Sequence, residues 1–373
     1  MPIDAAALPG LIHTVLWATF ALAAVFGFVA SRTHFCTMGA VADIVNFGDW
    51  TRMRQWLMAI GVAIVASGLL AAAGLIDPAK SIYTGKRLLL GGYVIGGLLF
   101  GFGMVLAGGC GSKTLVRVGS GNLKAVVVFV VLGVASYITL RGALGVLRVN
   151  LIEPLSVTLA SAQDLPSILS AATGTARSTL QWLLPLLTGG ALIAFALARR
   201  DFLTFDNLLA GLGIGGVIAA VWYVSGHLGY LTEHPETLEE TFLATNSGRM
   251  ESLSFVAPIA YVLDWLMFFS DKSKVLTLGV VAVFGVIVGS AAAALVRGEF
   301  RWEGFRDTED TANHLVGAAL MGFGGVTAMG CTVGQGLSGV SLLAVGSFIA
   351  WGAIIAGAVL GLRYQTWRME RMA

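Results

Sequence analysis

Charge is the first thing this sequence is short of. Only 12% of its 373 residues are Asp, Glu, Lys or Arg, and 57% are hydrophobic; a soluble domain carries roughly 25% charged residues. A globule that must meet water over its whole surface does not use so few charges. Lipid removes that requirement. The net charge of +2 is small and scattered, which excludes a nucleic acid as partner. Cysteine is nearly as scarce: Cys36, Cys110 and Cys331 are all there are. No two are near in sequence, so a zinc ribbon and a CxxC redox pair are excluded, and an odd number cannot form a fully paired disulfide set. The five histidines, His13, His34, His227, His234 and His314, are dispersed. Only His34 and Cys36 are close, and an i,i+2 pair does not share a helix face, so neither a metal site nor a cofactor is expected. No GxxxxGK[ST] segment occurs, which excludes nucleotide hydrolysis by a P-loop.

What is present is apolar length. About 20 predominantly apolar residues span a bilayer core as helix, and the chain offers such runs repeatedly: Leu11–Ala30, Leu57–Leu75, Leu88–Ala107, Ala125–Leu140, Leu209–Val224, Val275–Val296 and Leu342–Leu362. With shorter and broken segments included, the count is about eight to ten. The runs are continuous rather than alternating, which excludes a transmembrane β-barrel. The first run leads into Ser31-Arg32-Thr33-His34-Phe35-Cys36 rather than a small-residue cleavage site, so it reads as the first span and not a signal peptide. The fold expected is all-α, integral to the lipid bilayer and polytopic. Arg199-Arg200, Arg297, Arg301, Arg306 and the tail residues Arg363, Arg368 and Arg371 belong on the cytoplasmic side by the positive-inside rule. The N-terminal segment to His13 has no Lys or Arg. The expectation is a multi-pass bacterial inner-membrane protein with its N-terminus outside, its C-terminus in the cytoplasm and an odd number of crossings.

An internal repeat organises the chain. Gly96–Cys110, GGLLFGFGMVLAGGC, aligns without a gap on Gly317–Cys331, GAALMGFGGVTAMGC. Gly96/Gly317, Gly101/Gly322, Phe102/Phe323, Gly103/Gly324, Val105/Val326, Ala107/Ala328, Gly109/Gly330 and Cys110/Cys331 coincide. The expected organisation is one membrane domain, 1–373, with a first half 1–140, a connecting region 141–180 and a second half 181–373. The connecting region, with Arg141, Arg148, Glu153, Pro154 and Pro166, reads as a loop with a short surface helix. The acidic stretch His227–Ser252 is placed on the outer face.

Each repeated cysteine is followed by a stretch too short and polar to span, Gly111–Gly121 and Thr332–Gly339. Irregular backbone at membrane depth is tolerated only where protein buries it or where it lines a cavity. Broken hydrophobic segments at matching places in two halves point to a transporter's substrate site. A third break carries Cys36, and the fourth, expected near Glu251–Pro258, has no cysteine. One cysteine in a membrane helix is ordinarily a small packing residue. Three, each at a break beside Gly or Thr, suit a weakly hydrogen-bonding path for a polarizable anion. Thiols are weak donors and acceptors, and conduction requires sites in series that release as well as bind. Backbone N–H groups beside Gly109, Gly111, Gly330, Thr332 and Gly334, at half-helix N-termini, would add the positive end of a dipole. Lys113, Arg117 and Arg32 are candidate cations for the same path, or snorkel to an interface. Trp17, Trp50, Trp56, Trp302 and Trp367 read as interfacial belt residues. Gly27, Gly61, Gly68, Gly96, Gly101, Gly285 and Gly289 read as close-packing positions.

Phe35–Arg52 (FCTMGAVADIVNFGDWTR), Gly101–Asn122 (GFGMVLAGGCGSKTLVRVGSGN) and Gly322–Gly339 (GFGGVTAMGCTVGQGLSG) together resemble the YeeE/YedE family of sulfur-transport membrane proteins. The likeness covers most of the chain. It implies a pseudo-symmetric, hourglass-like body whose inward loops meet near the membrane centre. It further implies uptake of thiosulfate, or of a related sulfur or selenium species, passed between successive thiols by S–H···S hydrogen bonds. Carried over position by position, those thiols are Cys36, Cys110 and Cys331. A small cytoplasmic sulfur-carrier protein of the TusA type fits the family as a partner, though no docking motif is legible. The alternative of a different class is a membrane-embedded sulfurtransferase in which a cysteine carries a persulfide. It needs a thiol beside a cation or helix N-terminus, which favours Cys110, three residues before Lys113. A transporter should use all three thiols to different degrees; an enzyme should need one absolutely and trap an adduct.

Overall fold

The computed structural model describes residues 7–372 of the chain. Helix α1 (Leu8–Arg32) is followed by the short α2 (Thr37–Phe47) and by α3 (Thr51–Ala72). After a loop and a π turn at Gly92–Gly96 come α4 (Gly97–Leu106), the short α5 (Gly111–Gly119) and α6 (Leu123–Arg141). The connecting region holds two short helices, α7 (Ala143–Leu147) and α8 (Leu165–Thr173). Then follow α9 (Arg177–Leu197), α10 (Phe205–Tyr223), the short α11 (Ala257–Met267), α12 (Leu278–Val296), α13 (Thr308–Thr327) and α14 (Val345–Met372). Eight helical segments among the described residues are long and apolar enough to cross a membrane. The all-α polytopic expectation therefore holds. Among the described residues, sheet is confined to two two-stranded ribbons, Arg87–Leu88 with Val157–Thr158 and Tyr230–Leu231 with Thr241–Phe242.

The ends of the bundle differ in chemistry. One end is rich in arginine: Arg32 pairs with Asp206 at 3.1 Å, Lys124 with Asp310 at 2.8 Å, and Arg368 with Glu309 at 3.0 Å. The opposite end carries both ribbons, the Lys80–Glu240 pair and the Lys274–Asp264 pair at 2.6 Å. The chain traverses from end to end in α1, α3, α4 with α5, α6, α9, α10, α12, α13 with the turn after it, and α14. That is an odd number, so α1 begins at the end opposite to the one where α14 finishes.

Glycine sets the helix spacing. Without a side chain it lets backbones touch, which is the main attraction available to helices in lipid. A Cβ on Gly96 would sit 2.6 Å from Gly324 O, and one on Gly103 2.7 Å from Gly317 O. The reverse contacts, Gly324 on Gly96 O and Gly317 on Gly103 O, are both 2.6 Å. The two aligned stretches thus pack antiparallel on each other through reciprocal contacts. On the other side of the molecule α1 and α12 run parallel, with Gly285 against Phe20 O and Gly289 against Ala24 O. All seven glycines expected at close approaches lie against backbone or side chain of another helix.

Two expectations are corrected. Trp56 is not a belt residue: it is 1% exposed and stacks on Phe35 with ring centroids 4.5 Å apart. Trp17, Trp50, Trp302 and Trp367 are exposed, as an interfacial position requires. The polar stretches after Cys110 and Cys331 are also not irregular. They form α5 and a helical turn with a π segment at Gly334–Gly339, so that the break itself is only a few residues long.

Candidate functional site

The three cysteines share one local structure. Each follows a helix that ends in a Schellman motif, the arrangement in which a left-handed residue lets two backbone N–H groups satisfy the last helical carbonyls. His34 N donates to Ser31 O and Phe35 N to Ala30 O. Gly108 N donates to Val105 O and Gly109 N to Met104 O; Met329 N donates to Val326 O and Gly330 N to Gly325 O. The left-handed residue lies two positions before the thiol in every case: His34 (φ 52°), Gly108 (φ 67°) and Met329 (φ 57°). The cysteine then stands at the start of the next helix, extended at Cys36 and Cys110. The chain thus stops one helix and starts another within three residues, and each thiol lies where the new helix leaves N–H groups unpaired.

Those N–H groups are used. Cys36 Sγ accepts from Gly39 N at 3.4 Å, and Cys331 Sγ from Gly334 N at 3.4 Å. Cys110 Sγ instead bonds Ser112 Oγ at 3.2 Å. All three thiols are free and buried. Cys110 lies within electrostatic range of both Cys36 and Cys331. The hydroxyls of Thr37 and Thr332, each next to its cysteine, are buried without a hydrogen-bond partner.

The glycines around the thiols serve different ends. Gly111 opens α5, and a Cβ there would sit 3.0 Å from Phe255 O, so the second break packs on the fourth. Gly109 lies under the Lys113 side chain, 2.9 Å from where a Cβ would be. Gly330 faces Gln335, whose Nε2 donates to Ala328 O at 2.5 Å. Gly334 is overlaid by Ser254 and Tyr83: a Cβ there would meet Ser254 Oγ at 2.7 Å and Tyr83 Oη at 3.0 Å.

The fourth break, Glu251–Val256, joins the other three. Ser254 Oγ lies 4.0 Å from Cys331 Sγ. Its backbone is fixed by Ser252 Oγ donating to Ile218 O at 3.1 Å and by Ser338 Oγ donating to Leu253 O at 2.7 Å. Beside it a cavity of about 230 Å³ opens toward the ribbon end, lined by Tyr83, Arg148, Glu251, Ser252, Ser254 and Gly330 among others. Reasoning from sequence placed this break but proposed no site residue on it, and it missed Tyr83 altogether. By its place immediately before α11, Val256 is the counterpart of Cys36 before α2; nothing in the sequence marks Ser254 or Tyr83.

Toward the arginine-rich end the surroundings turn cationic. Lys113 is within electrostatic range of Cys36, Cys110, Arg117 and Arg52. The Arg117 guanidinium lies 3.1 Å from where a Cβ on Gly108 would be, and Arg52 pairs with Asp43 at 3.3 Å. Arg32 is not part of this group: it is exposed and paired with Asp206. The arrangement sets buried soft donors at three helix breaks, with a hydroxyl-lined cavity beside Cys331 and cationic side chains beside Cys36 and Cys110. Among the described residues, no three His, Cys, Asp or Glu side chains lie close enough to hold a metal ion.

A family model described as sulphur transport matches residues 32–360. The thiosulfate transporter TsuA of Spirochaeta thermophila is 29% identical over 351 residues, covering 90% of this chain and 94% of the relative. The thiosulfate transporter TsuA of Escherichia coli is 29% identical over 332 residues, 84% of each. A probable transporter of E. coli, YedE, is 36% identical over 98 residues, 26% of this chain and 23% of its own.

Proposed function

This chain belongs to the sulphur-transport family, and we propose that it carries a small sulfur anion, thiosulfate, across the inner membrane along Cys331, Cys110 and Cys36. The anion enters from the ribbon-end cavity beside Cys331 and leaves past Cys36, Lys113 and Arg117. The observation that carries this reading is the threefold recurrence of one turn, a Schellman stop and a thiol at the next helix start, with Cys110 in range of the other two.

The physics of passage favours such a file. A fixed cation inside the membrane would bind an anion tightly and hold it. A neutral thiol backed by a helix N-terminus offers a soft, reversible contact, and several weak sites in series let an ion both arrive and depart. The reciprocal contacts of Gly96, Gly103, Gly317 and Gly324 support two related halves arranged about this file. The positive-inside rule places the arginine-rich end in the cytoplasm, which puts α1's start outside and gives direction to uptake. A small sulfur carrier of the TusA type would collect the product at that end.

The test is uptake of labelled thiosulfate by cells lacking their own sulfate and thiosulfate uptake, wild type beside each variant at equal membrane abundance. Cys110→Ala and Cys331→Ala should reduce uptake to background. Cys36→Ala should weaken it, because a terminal site is easier to bypass than an internal one. Wild-type uptake by all three variants would sink the relay. Loss with one variant only, together with a trapped adduct on that cysteine, would replace transport by persulfide chemistry.

A further inference from the structure

We infer that Tyr83 and Ser254 form a fourth station, a hydroxyl site at the mouth of the thiol file that holds the oxygen atoms of the anion and selects what Cys331 receives. The inference rests on the transport reading above and deepens it. Tyr83 is 2% exposed, yet its hydroxyl makes no hydrogen bond of good geometry and has the Ser254 hydroxyl as its polar neighbour. A buried, unsatisfied hydroxyl is costly and is retained where something else satisfies it. It does not lie there by looseness. Tyr83 N donates to Ser81 Oγ at 3.2 Å, Ile82 N donates to Met250 O at 3.3 Å, and the ring packs edge-on against Trp222 at 6.2 Å.

Both hydroxyls converge on one spot. Tyr83 Oη and Ser254 Oγ overhang the Cα of Gly334, in the space a side chain would take. Gly334 N is the group that bonds Cys331 Sγ, and Ser254 Oγ is 4.0 Å from that sulfur. The cavity reaching this spot, about 230 Å³, is ample for one tetrahedral anion. Two hydroxyls and a thiol side by side match an ion with oxygens at one end and a sulfur at the other. Hydroxyl O–H groups donate to the oxygens; the Cys331 thiol donates to the terminal sulfur. An all-oxygen ion such as sulfate can occupy the hydroxyls but has no sulfur to offer the next thiol. The one break without a cysteine is therefore the one where the substrate's oxygens, rather than its sulfur, are read.

The experiment uses the full chain in membrane vesicles. Tyr83→Phe and Ser254→Ala each remove one oxygen and little volume. Each should raise the half-saturating thiosulfate concentration about tenfold, the loss of one hydrogen bond to a charged group, while the maximal rate stays within about threefold. Sulfate should inhibit wild-type uptake competitively and lose that effect in the double variant. A third variant, Ser254→Cys, should be alkylated by iodoacetamide at residue 254, as mapped by peptide mass, and thiosulfate should slow the alkylation. Unchanged half-saturation in both oxygen-deletion variants, or alkylation of Ser254→Cys that thiosulfate does not slow, overturns the hydroxyl station while leaving the thiol file intact. Wild-type vesicles that take up no thiosulfate overturn both.

Discussion

At the scale of single residues, the site is governed by which polar groups are left without partners and which are matched. The thiols are matched weakly, by one N–H or one hydroxyl each. Glu251 is the one acid lining the ribbon-end cavity. Its carboxyl accepts Ser247 N at 2.8 Å, but burial dominates and pushes it above the usual carboxylate range. The sign follows directly. A raised group is still protonated at pH values where an ordinary carboxyl is ionised, and it gains its negative charge as pH rises through the shifted value. Ionised, it repels an arriving anion. Thiosulfate affinity should therefore improve as pH falls from 8 toward 5, and Glu251→Gln should flatten this dependence by improving affinity at the high-pH side. Initial rates at several thiosulfate concentrations across that range check it. A wild-type profile already flat would remove Glu251 from the cavity's electrostatics.

At the scale of elements, turns and helix contacts carry the strain and the specificity. His34 and Met329 sit in the left-handed region that Gly108 occupies without penalty. A side chain there costs about 1–2 kcal/mol, so Met329→Gly should stabilise the detergent-solubilised protein by about 1 kcal/mol, read as a raised thermal midpoint. The helix glycines behave in the opposite way. Gly-to-Ala in a helix interior ordinarily gains up to about 1 kcal/mol, and Gly190 of α9, with nothing within 4 Å, should show that gain. Gly289 should not: a Cβ there collides with Ala24 O of α1. Gly289→Ala should lose about 2 kcal/mol by overpacking. The same assay on both variants checks the contrast. A stabilised Gly289→Ala would mean that α1 and α12 can move apart freely.

At the scale of the whole molecule, the proposed orientation rests on the odd number of traverses and on the greater number of arginines at one end. The C-terminal end of α14 and the cationic group around Lys113 lie at the same end as Arg32, Arg297 and Lys124. A cleavable tag fused after residue 373 should be digested in inside-out vesicles and protected in right-side-out ones. The opposite pattern would reverse the direction of transport argued from the charges. The pair of Lys124 with Asp310 ties α6 to α13 at this end and is mostly shielded from water. Lys124→Met should leave Asp310 with only the Arg306 N–H and His314 beside it and cost about 2 kcal/mol, measured as a lowered thermal midpoint that Asp310→Asn partly restores.

The membrane nature of the protein and the places where its helices break were decided by local composition, and local composition is what a sequence displays. Apolar length specifies a spanning helix whatever its neighbours are, and a short polar stretch rich in Gly between two apolar runs marks a break wherever it falls. The glycine contacts were legible for the same reason, since close approach tolerates few other residues. Trp56 was misread because a belt tryptophan and a core tryptophan look alike along the chain. Only the neighbour across the bundle, Phe35, distinguishes them. Tyr83 was invisible for a stronger version of that reason. Its role depends on Ser254 and Gly334, which are far away in the chain and meet it only because the breaks pack on one another. Sequence alone determined that three thiols stand at helix breaks. Only tertiary structure decided that the fourth break packs on the second and third, and that Tyr83 and Ser254 meet over Gly334 beside Cys331, because proximity between distant segments is a property of packing and not of any one segment.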